Sequence, residues 1–167
     1  MLGVLAEEPR HGFAVARELA ADGELGRIWT VRRPLVYRSI EHLIDVGYAE
    51  ARATEPGRQG PHRTVVAPTR AGRARLRRWL DEPVEHLRDV RSVLLAKLAL
   101  RVRAGRDLAP VARRQLASLI PVVTGLERRV DSSTGVERLA VQSRLETARA
   151  IRTFLETVVE DDGQRRY

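Results

Sequence analysis

A chain of 167 residues, 43% hydrophobic and 31% charged, is long enough for one or two small globular domains and too apolar for disorder. With no cysteine it forms no disulfide or thiolate metal site, no run of about 18 apolar residues offers a membrane span, and Met1-Leu2-Gly3-Val4-Leu5-Ala6 carries no basic leader or cleavage site. An intracellular, cytoplasmic protein is expected. The net charge of +8 is unevenly spread: between Arg27 and Arg78 there are twelve arginines and only four acids, Glu41, Asp45, Glu50 and Glu55, so the rest of the chain balances. A basic stripe confined to one segment is the footprint of a surface that meets a polyanion. Aromatic residues make up only 4% of the chain, which disfavours a stacking platform for single strands and leaves double-stranded DNA as the expected partner.

In chain order, Leu2–Ala6 reads as a short apolar helix stopped before Pro9. His11–Ala20 places Val15, Ala16 and Leu19 on one side of a second helix, and Gly23 and Gly26 punctuate the loop that follows. Pro34 suits the first turn of a third helix, in which Val36, Ile40, Leu43 and Ile44 recur at helical spacing up to Gly47, a natural C-terminal stop. That spacing turns Pro34, Leu35, Arg38, Glu41, His42 and Asp45 outward. The alternating runs Tyr48–Thr54 and Arg63–Pro68 then flank a long basic tip, Glu55 to His62, as a hairpin. Thr69 offers an N-cap hydroxyl for a fourth helix running through Leu76, Trp79 and Leu80.

Three helices, a two-stranded wing and a further helix predict a mainly α protein with an N-terminal winged helix-turn-helix over residues 1–82. A major groove admits one helix, while a wing reaches the flanking backbone. Arg38 is the candidate for base readout, with His42 one turn further on. Arg32 and Arg33 are expected near phosphates at the helix start, and Arg58, Gln59, His62 and Arg63 in the wing contact. Tyr37 suits either packing or a phosphate contact. The arginines of the fourth helix, from Arg70 to Arg78, read as a solvated face with some phosphate contacts. His11, His42, His62 and His86 are scattered, without zinc-ligand spacing, so no metal or other cofactor is expected.

Several motifs carry a family resemblance. Leu2-Gly3-Val4-Leu5-Ala6 with Pro9, His11-Gly12-Phe13, Trp29, Val36-Tyr37, Leu43, Gly47, Gly60-Pro61-His62-Arg63 and Thr69-Arg70-Ala71-Gly72-Arg73 resemble, in order over about 70 residues, the pattern of the PadR family of transcriptional regulators. The resemblance implies a winged-helix DNA-binding domain in a dimeric repressor, and it implies a phosphate contact for Tyr37. Where the family commonly has Ser-Pro-Gly-Thr-Leu-Tyr-Pro, this chain has Arg32-Arg33-Pro34-Leu35-Val36-Tyr37-Arg38, so the hydroxyl cap is missing and the family's base preference does not carry over.

Beyond Pro83 the composition turns to apolar helix, a stretch (residues 83–167) expected to form an α-helical dimerisation and effector domain. Val90 to Val102 marks one helix. A second starts at Asp107 as cap, with Pro121 inside it, and Asp131-Ser132-Ser133-Thr134-Gly135 reads as a linker to a last helix, Val136 to about Glu160. So much apolar surface predicts a homodimer, with Leu94, Leu98, Leu139, Ile151, Leu155 and Val158 as its contact positions. Val90 to Leu100 also resembles the opening of the helical domain in the long PadR subfamily related to virulence activators. A small apolar effector is a further expectation from the family, with Trp29 and Trp79 either as pocket walls or as core. The reading is thus a sequence-specific homodimeric repressor on an inverted-repeat operator. Its alternatives are a non-specific or architectural DNA-binding protein and a winged-helix protein-interaction module. An enzyme is not expected, since no nucleophile, phosphate-binding loop or carboxylate constellation stands out.

Overall fold

The computed structural model describes residues 1–57 and 60–164. Contacts divide the chain into two units, Met1–Leu80 and Asp81–Tyr167. The first holds α1 (Leu2–Glu7), β1 (Arg10–His11), α2 (Gly12–Glu18), α3 (Arg33–Asp45), β2 (Ala49–Gly57), β3 (Gly60–Pro68) and most of α4 (Arg70–Asp81). This is a winged helix-turn-helix, as the spacing of turn and helix signals predicts. Val4, Leu5, Val15, Val36 and Val66 are among its buried side chains, α2 packs on α3, and α1 lies against β3.

Short-range signals set the helix boundaries here. Pro34 occupies the first turn of α3. Gly47 (φ 73°) ends that helix in a left-handed conformation, with its N–H donating to Ile44 O (2.9 Å) and the Tyr48 N–H donating to Leu43 O (2.8 Å). Two of the last orphan carbonyls are satisfied in this way. The Thr69 hydroxyl accepts from Gly72 N–H (3.1 Å) at the start of α4 and donates to Gly47 O (2.7 Å), so one residue caps one helix and fastens the end of another.

The sheet departs from the sequence expectation in two respects. It has three antiparallel strands in the order β1-β3-β2, because Arg10 and His11 pair with Val66 and Val65. The hairpin also extends through the stretch expected to be a long tip, pairing Glu55 with Arg63 and Gly57 with Gly60. Pro56 is accommodated because β2 is an edge strand and its register shifts between Glu55 and Gly57. Ile44, expected on the inner face of α3, is 37% exposed.

The second unit holds a short 3₁₀ turn (Leu87–Arg91), α5 (Val93–Arg103), α6 (Ala109–Ser132) and α7 (Gly135–Gln164), with α6 and α7 packed along each other. One cluster, including Leu94, Leu98, Leu119, Leu126, Leu145, Ile151 and Leu155, forms its core. Much of the apolar surface that the sequence leaves seeking a partner is thereby covered within the chain. Two further expectations are corrected. Helix α6 continues through Asp131 and Ser132, so the connection to α7 is shorter than the linker read from the sequence. Pro121 lies inside α6, where the sequence reading places it. The first turn of α6 is not capped by Asp107: the Asp162 carboxylate, from the far end of α7, accepts from Ala109 N–H (3.0 Å).

Buried polar groups in this unit are satisfied. The Gln115 side chain accepts from Val84 N–H (2.7 Å) and donates to Val84 O (3.0 Å), and Lys97 donates to Glu82 O. Arg101 donates to the Asp81 carboxylate (2.8 Å) and to Asp107 O (2.9 Å). Among the described residues no helix is long and apolar enough to cross a membrane.

Candidate nucleic-acid interface

The outer face of α3 follows from its inner one. Val36 and Ile40 are buried on one side, which turns Arg38 and His42, one turn apart, to the exposed side together with Leu35, Glu41 and Asp45. Arg32 stands at the N-cap without a side-chain hydrogen bond, the missing hydroxyl cap expected from Arg32-Arg33 in this position. Arg32, Arg33 and Arg38 are all exposed, and none has a carboxylate partner among the described residues. Although Glu41 and Asp45 lie further along the same face, neither pairs with these three arginines, which therefore repel one another and present unused donors. An anion relieves both costs.

Arg33 is held in a way that the sequence does not disclose. Its guanidinium carbon lies 5.2 Å from the Phe13 ring centroid and 5.7 Å from that of Tyr37, within the range of cation–π attraction. Tyr37 is 36% exposed, with its ring close to Gly12 at the start of α2. In the sequence Phe13 stands out only as part of a motif; an aromatic ring at the start of α2, 39% exposed, is the signal it offers. Of the wing residues, Arg58 and Gln59 lie outside the described residues, as do the side chains of His62 and Arg63. The backbone of Arg63 pairs with Glu55 in the hairpin. Trp29 is 48% exposed and Trp79 partly buried, and neither lines a described cavity.

The six expected dimer positions separate by burial. Leu94, Leu98, Ile151 and Leu155 lie inside the chain's own helical core and Val158 packs partly buried against it, whereas Leu139 is 73% exposed. A side chain enclosed by its own chain offers no surface to a second copy, so the burial of these four is accounted for within one chain. Exposed apolar side chains in this unit include Val102, Ile120, Val136 and Phe154. No group of three or more metal-ligating side chains occurs among the described residues.

Over 143 residues the chain is 29% identical to the probable transcriptional regulator Rv1176c of Mycobacterium tuberculosis, covering 80% of this chain and 71% of that protein. Among solved structures it is similar to Bacillus subtilis PadR in complex with operator DNA, at 17% identity and a TM-score of 0.47, covering 95% of this chain and 94% of that one. It is also similar to the Vibrio cholerae virulence activator AphA, at 18% identity and a TM-score of 0.38, covering 98% and 96%. The model of the transcriptional regulator PadR-like family matches residues 1–78, the stretch that holds the basic stripe and α3. In that stretch the chain is similar to the PadR-like family of transcriptional regulators, the family whose motifs it resembles in order.

Proposed function

We propose that this regulator is a DNA-binding homodimeric repressor acting on an inverted-repeat operator. The observation that carries the reading is the start and outer face of α3, where Arg32, Arg33 and Arg38 are exposed without a carboxylate partner among the described residues, in the stretch that matches the PadR-like family. In the proposed complex α3 enters the major groove. Arg38 pairs with a base edge, His42 contacts the neighbouring position, and Arg32, Arg33 and Tyr37 face phosphates. Arg58, Gln59, His62 and Arg63 bring the wing to the flanking backbone. B. subtilis PadR, which shares the family name, is seen in complex with operator DNA, the same class of partner.

A two-fold dimer sets the half-sites one helical turn apart, roughly 34 Å, or a multiple of it. Its contact surface is drawn from exposed apolar positions of the helical unit, of which Leu139 is also expected from the sequence. The test is fluorescence anisotropy on the DNA upstream of the protein's own gene, at physiological salt, with an unrelated duplex as competitor. Binding that survives a large excess of competitor, with two subunits per duplex, supports the reading. Equal loss to any duplex marks a non-specific binder, and binding to no duplex marks a protein-interaction module.

A further inference from the structure

We infer that Phe13 is a positioning residue of the DNA-binding face: with Tyr37 it brackets the Arg33 guanidinium and aims its N–H edge at a backbone phosphate. The inference rests on the DNA-binding reading of α3. It concerns a side chain on α2, outside the helix that meets the groove, and an arginine that stands where the family pattern has proline.

The segment His11-Gly12-Phe13 builds the bracket in three steps. His11 Nδ1 accepts from Ala14 N–H (3.1 Å) and so fixes the first turn of α2. Gly12 lets the Tyr37 ring lie against that turn, since a Cβ there would come within 2.7 Å of Tyr37 Cε1. Phe13 then stands beside Arg33, its ring centroid 5.2 Å from the guanidinium carbon, with Tyr37 at 5.7 Å.

Rings attract the guanidinium through the face of the π system, whereas phosphates and carboxylates are bound through the N–H edge. No carboxylate takes that edge among the described residues, so the bracket restrains a long side chain without consuming its donors. A free arginine on a surface has many rotamers to lose on binding. One already restrained has fewer, and the saving appears as affinity. The target is an oxygen anion of the phosphate class.

The experiment is a double-mutant cycle on the full chain, using Phe13→Leu, Arg33→Ala and the double variant, each titrated with the same duplex across a salt series. Leucine keeps the apolar contacts and removes the ring. Phe13→Leu is expected to weaken binding about three- to fivefold when Arg33 is present and less than about twofold when it is absent. Arg33→Ala should lower the salt slope by about one, while Phe13→Leu leaves the slope unchanged because the charge stays. Phe13→Trp, which restores a ring face, should rescue the loss.

In the free protein, the Arg33 side-chain resonances should carry ring-current shifts that Phe13→Leu removes. Equal losses from Phe13→Leu with and without Arg33 would mean that the ring itself touches DNA and would overturn the inference, as would failure of Phe13→Trp to rescue. Absent ring-current shifts would overturn the bracket directly. If the shifts are present but the unaltered protein binds no duplex, it is the DNA-binding reading that fails, and the assigned role of the bracket falls with it.

Discussion

The arginines at α3 and several of those in the helical unit live under opposite conditions. On α3, Arg32, Arg33 and Arg38 are exposed without carboxylate partners among the described residues, whereas Arg101, Arg114, Arg129 and Arg149 of the helical unit each meet one. Arg101 is buried with its donors on Asp81 and Asp107 O. The hydrogen bond to Glu127, aided by the charge of Glu146, holds the Arg149 guanidinium above its usual pKa. The same residue type therefore serves internal architecture in one region and is left with unused donors in the other. An abundance of arginine in the sequence does not separate these roles; the placement of the acids does. The helical unit intersperses Asp and Glu among its basic residues, and the stripe from Arg27 to Arg78 has four.

The largest perturbation should arise in the unit whose groups are satisfied internally. Leu155 is fully buried, so Leu155→Asp places a carboxylate in the core and should destabilise the protein by about 3 kcal/mol or more, read as a large drop in thermal midpoint. The sequence alone suggests that this change would split a dimer between folded subunits; the burial predicts loss of the helical fold instead, which circular dichroism distinguishes. Arg101→Ala should cost about 1 to 3 kcal/mol of stability by removing charge-assisted hydrogen bonds, while leaving the salt slope of DNA binding unchanged.

Arg38→Ala should reverse that pattern. It should cost about 1 to 3 kcal/mol of binding and blur preference at one base position, with stability altered by less than about 0.5 kcal/mol. Arg63→Ala should weaken binding to all duplexes alike and lower the salt slope by about one. The smallest effect belongs to Arg129→Ala, which breaks an exposed pair with Glu137 (3.0 Å) and should change stability by less than about 1 kcal/mol and binding not at all. If Arg129→Ala weakened DNA binding as much as Arg38→Ala, the contrast between the two regions would collapse.

Features encoded within a few residues were legible in the sequence. Pro34 and Gly47 bound α3, Thr69 caps α4, and the spacing of Val36 and Ile40 turns Arg38 outward, all through local backbone chemistry. What escaped depends on distant partners. A two-residue strand at Arg10–His11 exists only because Val65 and Val66 lie beside it. The cap of α6 comes from Asp162, 53 residues away, so the nearby Asp107 was the natural but mistaken choice. Leu94 and Leu155 looked available to a second subunit because periodicity reveals an apolar face without revealing what covers it. The contact of the Arg33 guanidinium with the Phe13 ring joins two helices, and the motif that contains Phe13 gives no hint of the arginine it meets.

The most direct test of the claim that the unpaired arginines of α3 read DNA compares the unaltered protein with Arg38→Ala on a preferred duplex and its single-base variants at fixed salt. The account predicts that one position discriminated by the unaltered protein loses its discrimination in Arg38→Ala, while the preferences elsewhere persist. A uniform loss of affinity for every duplex, with all preferences intact, would contradict it.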